Sequence, residues 1–310
     1  MGQFSISANT ADRQEPVIAQ AKTERLHGKI AALKTKMQEL KEIEVRLNET
    51  PDKQISLTDP DARSMMTRGT GIVGYNVQTA VDAKHHLIVA HEVTNGGSDR
   101  SQLSPMAKLA KQAMGAEKLS VVADRGYFKS EEILACHQSD ITVHVPKPMT
   151  SGAKADGRYN KTDFIYDTET DEYKCPAGQR LIWRYASVEK GLKLHTYWSS
   201  HCQSCELKAQ CTPSTPSTPS TQRRVRRWEH ESVLENMQHR LDQAPEMMRI
   251  RKQTVEHPFG TLKAWMGATH FLTRTLPRVS TEMSLHVLAY NIKRVIKILG
   301  SAALIEAITA

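Results

Sequence analysis

No run of apolar residues in this 310-residue chain approaches the ~20 that a membrane-spanning helix needs, so no transmembrane segment is expected. A secretory signal is missing too: Met1 to Gln14 is polar and has no apolar core flanked by basic residues. Both absences point to a cytoplasmic protein. Cysteine is scarce, with five residues, and in a cytosolic chain that argues against a disulfide framework and for metal binding or simple burial. Acidic residues are outnumbered, 34 Asp+Glu against 42 Lys+Arg, which leaves a net charge of +8. That excess suits an anionic partner, with DNA the obvious candidate, although many basic proteins do other work. The rest is ordinary for a globular protein, and the length allows one large domain or two modest ones.

What is present first is a stripe. Leu26, Ile30, Leu33, Met37, Leu40 and Leu47 step by four and three, with Glu44 in the one missing seam position and Lys, Glu and Arg in most places between. That is the spacing of a coiled-coil seam, and it predicts a long helix over Pro16 to Asn48. Such a helix pairs with another helix or a second copy of the chain, or else lies solvated on a domain edge. After the loop Thr58–Arg63 the period changes to two. Tyr75 to Val81 and Leu87 to Val93 alternate around the turn Asp82-Ala83-Lys84-His85, as in an antiparallel hairpin. A helix over Leu103–Met114, a short buried strand at Leu119–Ala123, a helix opening at Ser130 and a strand at Ile141–Val145 complete a mixed α/β order.

Beyond a polar break at Gly152–Tyr159 comes a cysteine-bearing segment of short strands, then a Thr-Pro-Ser repeat up to Thr221 that reads as a linker. Helices resume at Glu229–Leu241, from Glu246, and from Thr281 to Leu299. The expected parts are therefore 1–57, a coiled-coil-like helical extension; 58–150, the first part of the core; 151–222, the cysteine insertion and linker; and 223–310, a helical completion of the core.

Three groups of residues could carry chemistry. Asp124 follows a buried strand and precedes Arg125-Gly126, so its carboxylate would point into the crevice where mixed sheets bind ligands; an ordinary turn aspartate is the alternative. Lys252, Glu256 and Lys263 fall at helical spacing on one face, an arrangement that could hold a divalent ion and grip phosphates, or form a surface ion-pair network. Pro258 lies among them and predicts a kink or a helix start. Cys202-x2-Cys205 has zinc-knuckle spacing, with Cys211 and Cys175 available for a four-thiolate set and His195 or His201 as substitutes; free buried thiols are the alternative. Cys136 reads as core. The run Arg223, Arg224, Arg226, Arg227 with Trp228 could follow a DNA backbone and stack on a base, or be a solvated surface strand.

In combination, Val122-Ala-Asp-Arg-Gly-Tyr127 and Val255-Glu-His-Pro-Phe-Gly-Thr-Leu-Lys263 resemble the second-aspartate and glutamate blocks of DDE transposases from bacterial insertion sequences. Thr58-Asp-Pro-Asp-Ala-Arg63 and Gly74 to Asp82 extend the likeness, which runs from about Thr10 to Gly300. The glutamate block of that family follows Y-x2-R-x3-E-x6-K. Glu256 and Lys263 match it, while Arg249 stands in the tyrosine place and Lys252 in the arginine place. The resemblance implies a ribonuclease-H-like fold in which three carboxylates hold two Mg²⁺ ions for phosphodiester hydrolysis and strand transfer on double-stranded DNA. It implies Asp124 and Glu256 as metal ligands, Lys263 and Lys252 on phosphate, a cysteine cluster ahead of the glutamate, and a homo-oligomer.

Its first aspartate would sit upstream of the long helix, yet Met1 to Ala11 contains none. The expectation is therefore an N-terminally truncated copy, with Asp82 at the hairpin turn as the one substitute. The rival reading is an inactive remnant that serves only as a DNA-binding or oligomerisation module.

Overall fold

A computed structural model describes residues 8–67, 69–148, 152–212 and 222–309, with side chains from residue 22 onward in the first helix. Most of the Thr-Pro-Ser tract, and any role for it as a linker, lies outside the described residues. The chain divides into two compact units, one made of Met1–Tyr75 with Arg274–Leu276, the other of Asn76–Thr273 with Pro277–Ala310.

In the first unit the seam does form a single helix, α1 (Ala8–Glu49), and a short hairpin follows, β1 (Arg63–Thr67) paired with β2 (Thr70–Gly74). The Asp-Pro-Asp segment is a capping element: the buried Asp59 carboxylate accepts from the Tyr75 hydroxyl at 2.8 Å and from the Thr275 amide at 3.2 Å, and Asp61 accepts from the Leu276 amide at 2.8 Å.

The second unit opens with the expected hairpin, β3 (Asn76–Val81) antiparallel to β4 (Ile88–Thr94). Asp82 belongs to its turn. The Asp82 carboxylate accepts from the amides of His85 (2.7 Å) and Lys84 (3.3 Å), which steadies a turn in which His86 is left-handed (φ 56°). Asp82, the substitute metal ligand suggested by the sequence, caps this turn. After α2 (Leu103–Ala113), the strands β5 (Leu119–Val122) and β6 (Ile141–His144) run parallel around α3 (Ser130–His137), as a strand–helix–strand crossover requires. Leu103 and Ala107 of α2, Ile133 and Cys136 of α3, and Ile141 and Val143 of β6 fill one core; Cys136 is fully buried there, and burial pushes its thiol up to about 11. The two strand pairs are not hydrogen-bonded to each other. A continuous mixed sheet is therefore not formed, and side chains and a helix described below connect the pairs instead.

The cysteine segment folds as a five-stranded antiparallel sheet in the order β11-β10-β9-β8-β7, from β7 (Ile165–Asp167), β8 (Glu172–Lys174), β9 (Arg180–Glu189), β10 (Leu192–Trp198) and β11 (Val225–Trp228), with the one-turn α4 (Lys208–Cys211) before β11. Phe164, Tyr173, Leu181, Tyr197 and Val225 form its core, and the Tyr166 and Tyr197 hydroxyls both donate to Asp171. Strand β11 is the basic run, which closes this sheet rather than standing apart from it.

The last helices are α5 (Glu231–Gln243), α6 (Glu246–Gly260), α7 (Leu276–Leu299) and α8 (Ser301–Thr309). Glu231 opens α5 beside Lys161 (2.7 Å) and Lys147 (3.7 Å). Helix α7 buries Val279, Met283, Val287 and Tyr290 and clamps the hairpin, with the Asn291 amide side chain bonding both the N–H and the C=O of Ile88, as a neighbouring strand would. Pro258 neither starts nor breaks α6. The helix carries it fully buried, and a π-turn follows at Thr261–Trp265, where the Met266 amide reaches Thr261. No described helix is long and apolar enough to cross a membrane.

Candidate active site

Strand β5 delivers Asp124. The ladder to β6 extends to Ala123, whose amide donates to the His144 carbonyl, so the next side chain emerges where the strand ends. Asp124 Oδ1 then accepts from the Gly126 amide at 2.8 Å and caps the tight turn Arg125–Tyr127. A Cβ at residue 126 would come within 3.0 Å of Asp124 Oδ1 and 3.6 Å of Asp99 Oδ2, so glycine leaves room where the two carboxylates approach.

Asp99 is the acid that sequence reasoning missed. It lies in the turn after β4, and its Oδ1 accepts from Asn76 Nδ2 (2.7 Å) and Gln78 Nε2 (2.8 Å), two amides that share one face of β3. Gln78 is fully buried and also accepts from the Tyr127 hydroxyl, so a chain of side chains links β3 to the end of β5. Burial pushes the Tyr127 hydroxyl well above the usual phenol range, and the nearby Asp99 and Asp124 charges push it further. Tyr127 is held as a neutral donor.

Helix α6 lies against both β3 and β5 and brings a cation to this site. Arg251 Nη2 stands 2.8 Å from Asp124 Oδ2. One Asp124 oxygen accepts from the Gly126 amide and the other from Arg251, while the side chain stays 41% exposed. Glu256 is not at that contact. Five residues further along an α-helix is a rotation of roughly 140°, which puts Glu256 on a different face from Arg251. That face is solvated, and Glu256 makes no ion pair among the described residues. By the same rotation Arg249 and Lys252, both exposed, lie within about 60° of Glu256. Lys263, in the π-turn, is exposed as well and holds its ammonium 5.9 Å from the Phe259 ring. Lys252 thus lies near Glu256 on the exposed side of α6, and Lys263 is exposed beyond it in the π-turn. The contact with Asp124 goes to Arg251, a residue the motif does not single out.

Among the described residues no three His, Cys, Asp or Glu side chains are gathered as a ready metal-holding group. Cys175, Cys202, Cys205 and Cys211 are free thiols that line one pocket with Phe164, Leu181 and Arg223, and no carboxylate lines it. Burial pushes the Cys211 thiol up to about 11, while the Arg223 guanidinium pulls it back. His195 and His201 do not line that pocket.

Of the four arginines of the basic run, Arg227 is buried, Arg223 is half-buried, and Arg224 and Arg226 are exposed. Arg227 is buried, forks onto Glu235 at 2.5 and 2.8 Å, and lies 3.6 Å over the Tyr166 ring. Arg226 pairs with Glu189 at 2.8 Å, Arg223 donates to the Cys211 carbonyl and Arg224 lies over Trp198. Trp228 is buried in the core and is unavailable to stack on a base.

A family model described as the transposase DDE domain matches residues 41–292. No curated protein and no solved structure matches the chain.

Proposed function

The chain belongs to the transposase DDE-domain family, and from that premise we propose that it engages DNA through the basic face of α6 but does not cut DNA by itself. The observation that carries this reading is the seat of Arg251 on Asp124, with Glu256 turned to another face of the same helix. Arg249 and Lys252 near Glu256, with Lys263 in the π-turn that follows, are three exposed cations suited to the phosphates of a duplex. Two-metal phosphodiester chemistry needs carboxylates that converge, and Mg²⁺ accepts little departure from octahedral oxygen geometry. As placed, the acids do not fit that pair of ions. We read the β3–β4 hairpin and the β5–α3–β6 crossover as parts of a ribonuclease-H-like sheet that the described strands leave in two pieces. The test is duplex binding measured beside Mg²⁺- or Mn²⁺-dependent nicking.

One observation favours a second reading, an active insertion-sequence transposase that hydrolyses and transfers strands. The carboxylates of Asp99 and Asp124 already approach each other at Gly126. If Arg251 withdrew, they would offer two adjacent oxygen ligands. Asp99→Asn and Asp124→Asn would then each abolish nicking, and both would weaken Mn²⁺ binding followed by electron paramagnetic resonance.

A structural Zn²⁺ is proposed at Cys175, Cys202, Cys205 and Cys211. The support is chemical: four thiols on one pocket and no carboxylate among its lining residues. The thiols would rotate inward to hold the ion. Purified chain should carry about one zinc, the complement of one four-thiolate site. Cys205→Ser should lose it and lower the melting temperature; a zinc-free chain of unchanged stability means these are simply buried thiols.

A further inference from the structure

Helix α1 leaves its apolar seam uncovered. Leu26, Leu33 and Leu40 are 59%, 63% and 57% exposed, and Ile30 and Met37 are 48% and 58% exposed. In heptad terms Leu26, Leu33, Leu40 and Leu47 take the d position throughout, while Ile30, Met37 and Glu44 take the a position. Leucine takes every d position and one of the three a positions, Ile30, is β-branched, the combination that favours two parallel strands over higher assemblies. The seam therefore calls for one other helix.

The flanks decide which helix. The e positions hold His27, Lys34, Lys41 and Asn48, and the g positions hold Lys29, Lys36 and Ile43. None is acidic. From residue 22 onward the helix's own glutamates sit elsewhere, Glu24, Glu39, Glu42 and Glu49 on the outer face and Glu44 in the seam. In a parallel pair of two copies, Lys29 of one would meet Lys34 of the other and Lys36 would meet Lys41, each contact occurring twice. An antiparallel pair only exchanges these for other Lys–Lys contacts, because both flanks are basic. Two copies in parallel would also oppose Glu44 to Glu44 inside the seam. Like charges across a coiled coil set partner choice against self-pairing. DNA phosphates could meet the lysines, yet they would leave five large apolar side chains in water.

We infer that α1 is one strand of a parallel, two-stranded, heterotypic coiled coil. Its partner is an amphipathic helix with an apolar seam, acidic e and g positions, and a Lys or Arg opposite Glu44. This does not rest on the transposase reading.

The test uses the full chain and a labelled synthetic helix of about four heptads, with Ile at a, Leu at d, Glu at e and g, and one Lys placed opposite Glu44. Fluorescence anisotropy should show a one-to-one complex that weakens as salt rises, and sedimentation should show that the chain alone does not pair through α1. Lys34→Glu with Lys41→Glu should weaken binding by about tenfold or more and admit a lysine-flanked version of the peptide. Leu33→Asn with Leu40→Asn should abolish binding. All four positions are exposed, so these variants leave the remaining fold intact. The inference is overturned if a scrambled peptide of equal charge binds as well. It is also overturned if the chain self-associates until Leu33→Asn disrupts it, or if a short duplex binds α1 in a manner that Leu33→Asn abolishes.

Discussion

Arg227→Ala should destabilise the second unit by about 2–4 kcal/mol, the sum of a charged hydrogen bond and a desolvated cation–π contact. The guanidinium is 8% exposed and forks onto Glu235, and it stacks on Tyr166 while donating to the Tyr173 hydroxyl. The upper end of the range is limited because the Glu235 side chain is 48% exposed and regains water once abandoned. A fall in the urea midpoint with an unchanged slope of unfolding free energy would show it. The same variant, kept where it is folded, should bind DNA with an unaltered salt dependence. If affinity falls and stability does not, Arg227 faces DNA and its assignment to the interior is wrong.

Lys252→Ala together with Lys263→Ala should do the reverse. Both side chains are exposed, so stability should barely change. Each lost phosphate contact is worth roughly a factor of eight at about 0.1 M salt, so the pair should weaken duplex binding about 60-fold and lower the salt slope by about two. Binding measured across a salt series separates this from a general loss of charge. A double variant with the parent's slope would move the DNA-binding surface away from α6.

The contrast between these two predictions shows what could be read from the sequence. Period and strand signals were plain: the seam became α1, the alternation around Asp82 became the β3–β4 hairpin, and the apolar run before Asp124 became a parallel strand that presents it. In the basic run charge counting could not tell one arginine from the next, because a strand alternates. In Val225-Arg-Arg-Trp, residue 226 points to solvent and residue 227 points inward, and charge counting weighs both alike. Pro258 did mislead. Its missing amide was tolerated within α6, and the irregularity was taken up one turn later as a π-turn. Asp99 carried no motif at all. A usable signal did exist in Asn76-x-Gln78, two amides on one face of an otherwise apolar strand, which need a buried acceptor. Arg251 was hidden because it lies in the glutamate block without being part of its pattern, and only the helix phase turns it to Asp124.

The most direct measurement is nicking of a supercoiled plasmid carrying the element's ends, by the full chain in Mg²⁺ and in Mn²⁺, with duplex binding followed on the same preparation. The account predicts binding that weakens with salt and no nicking in either metal, because Asp124 is held by Arg251 and Glu256 stands on another face. Nicking that disappears in both Asp124→Asn and Glu256→Gln would contradict it, and would mean that the two acids come together on DNA.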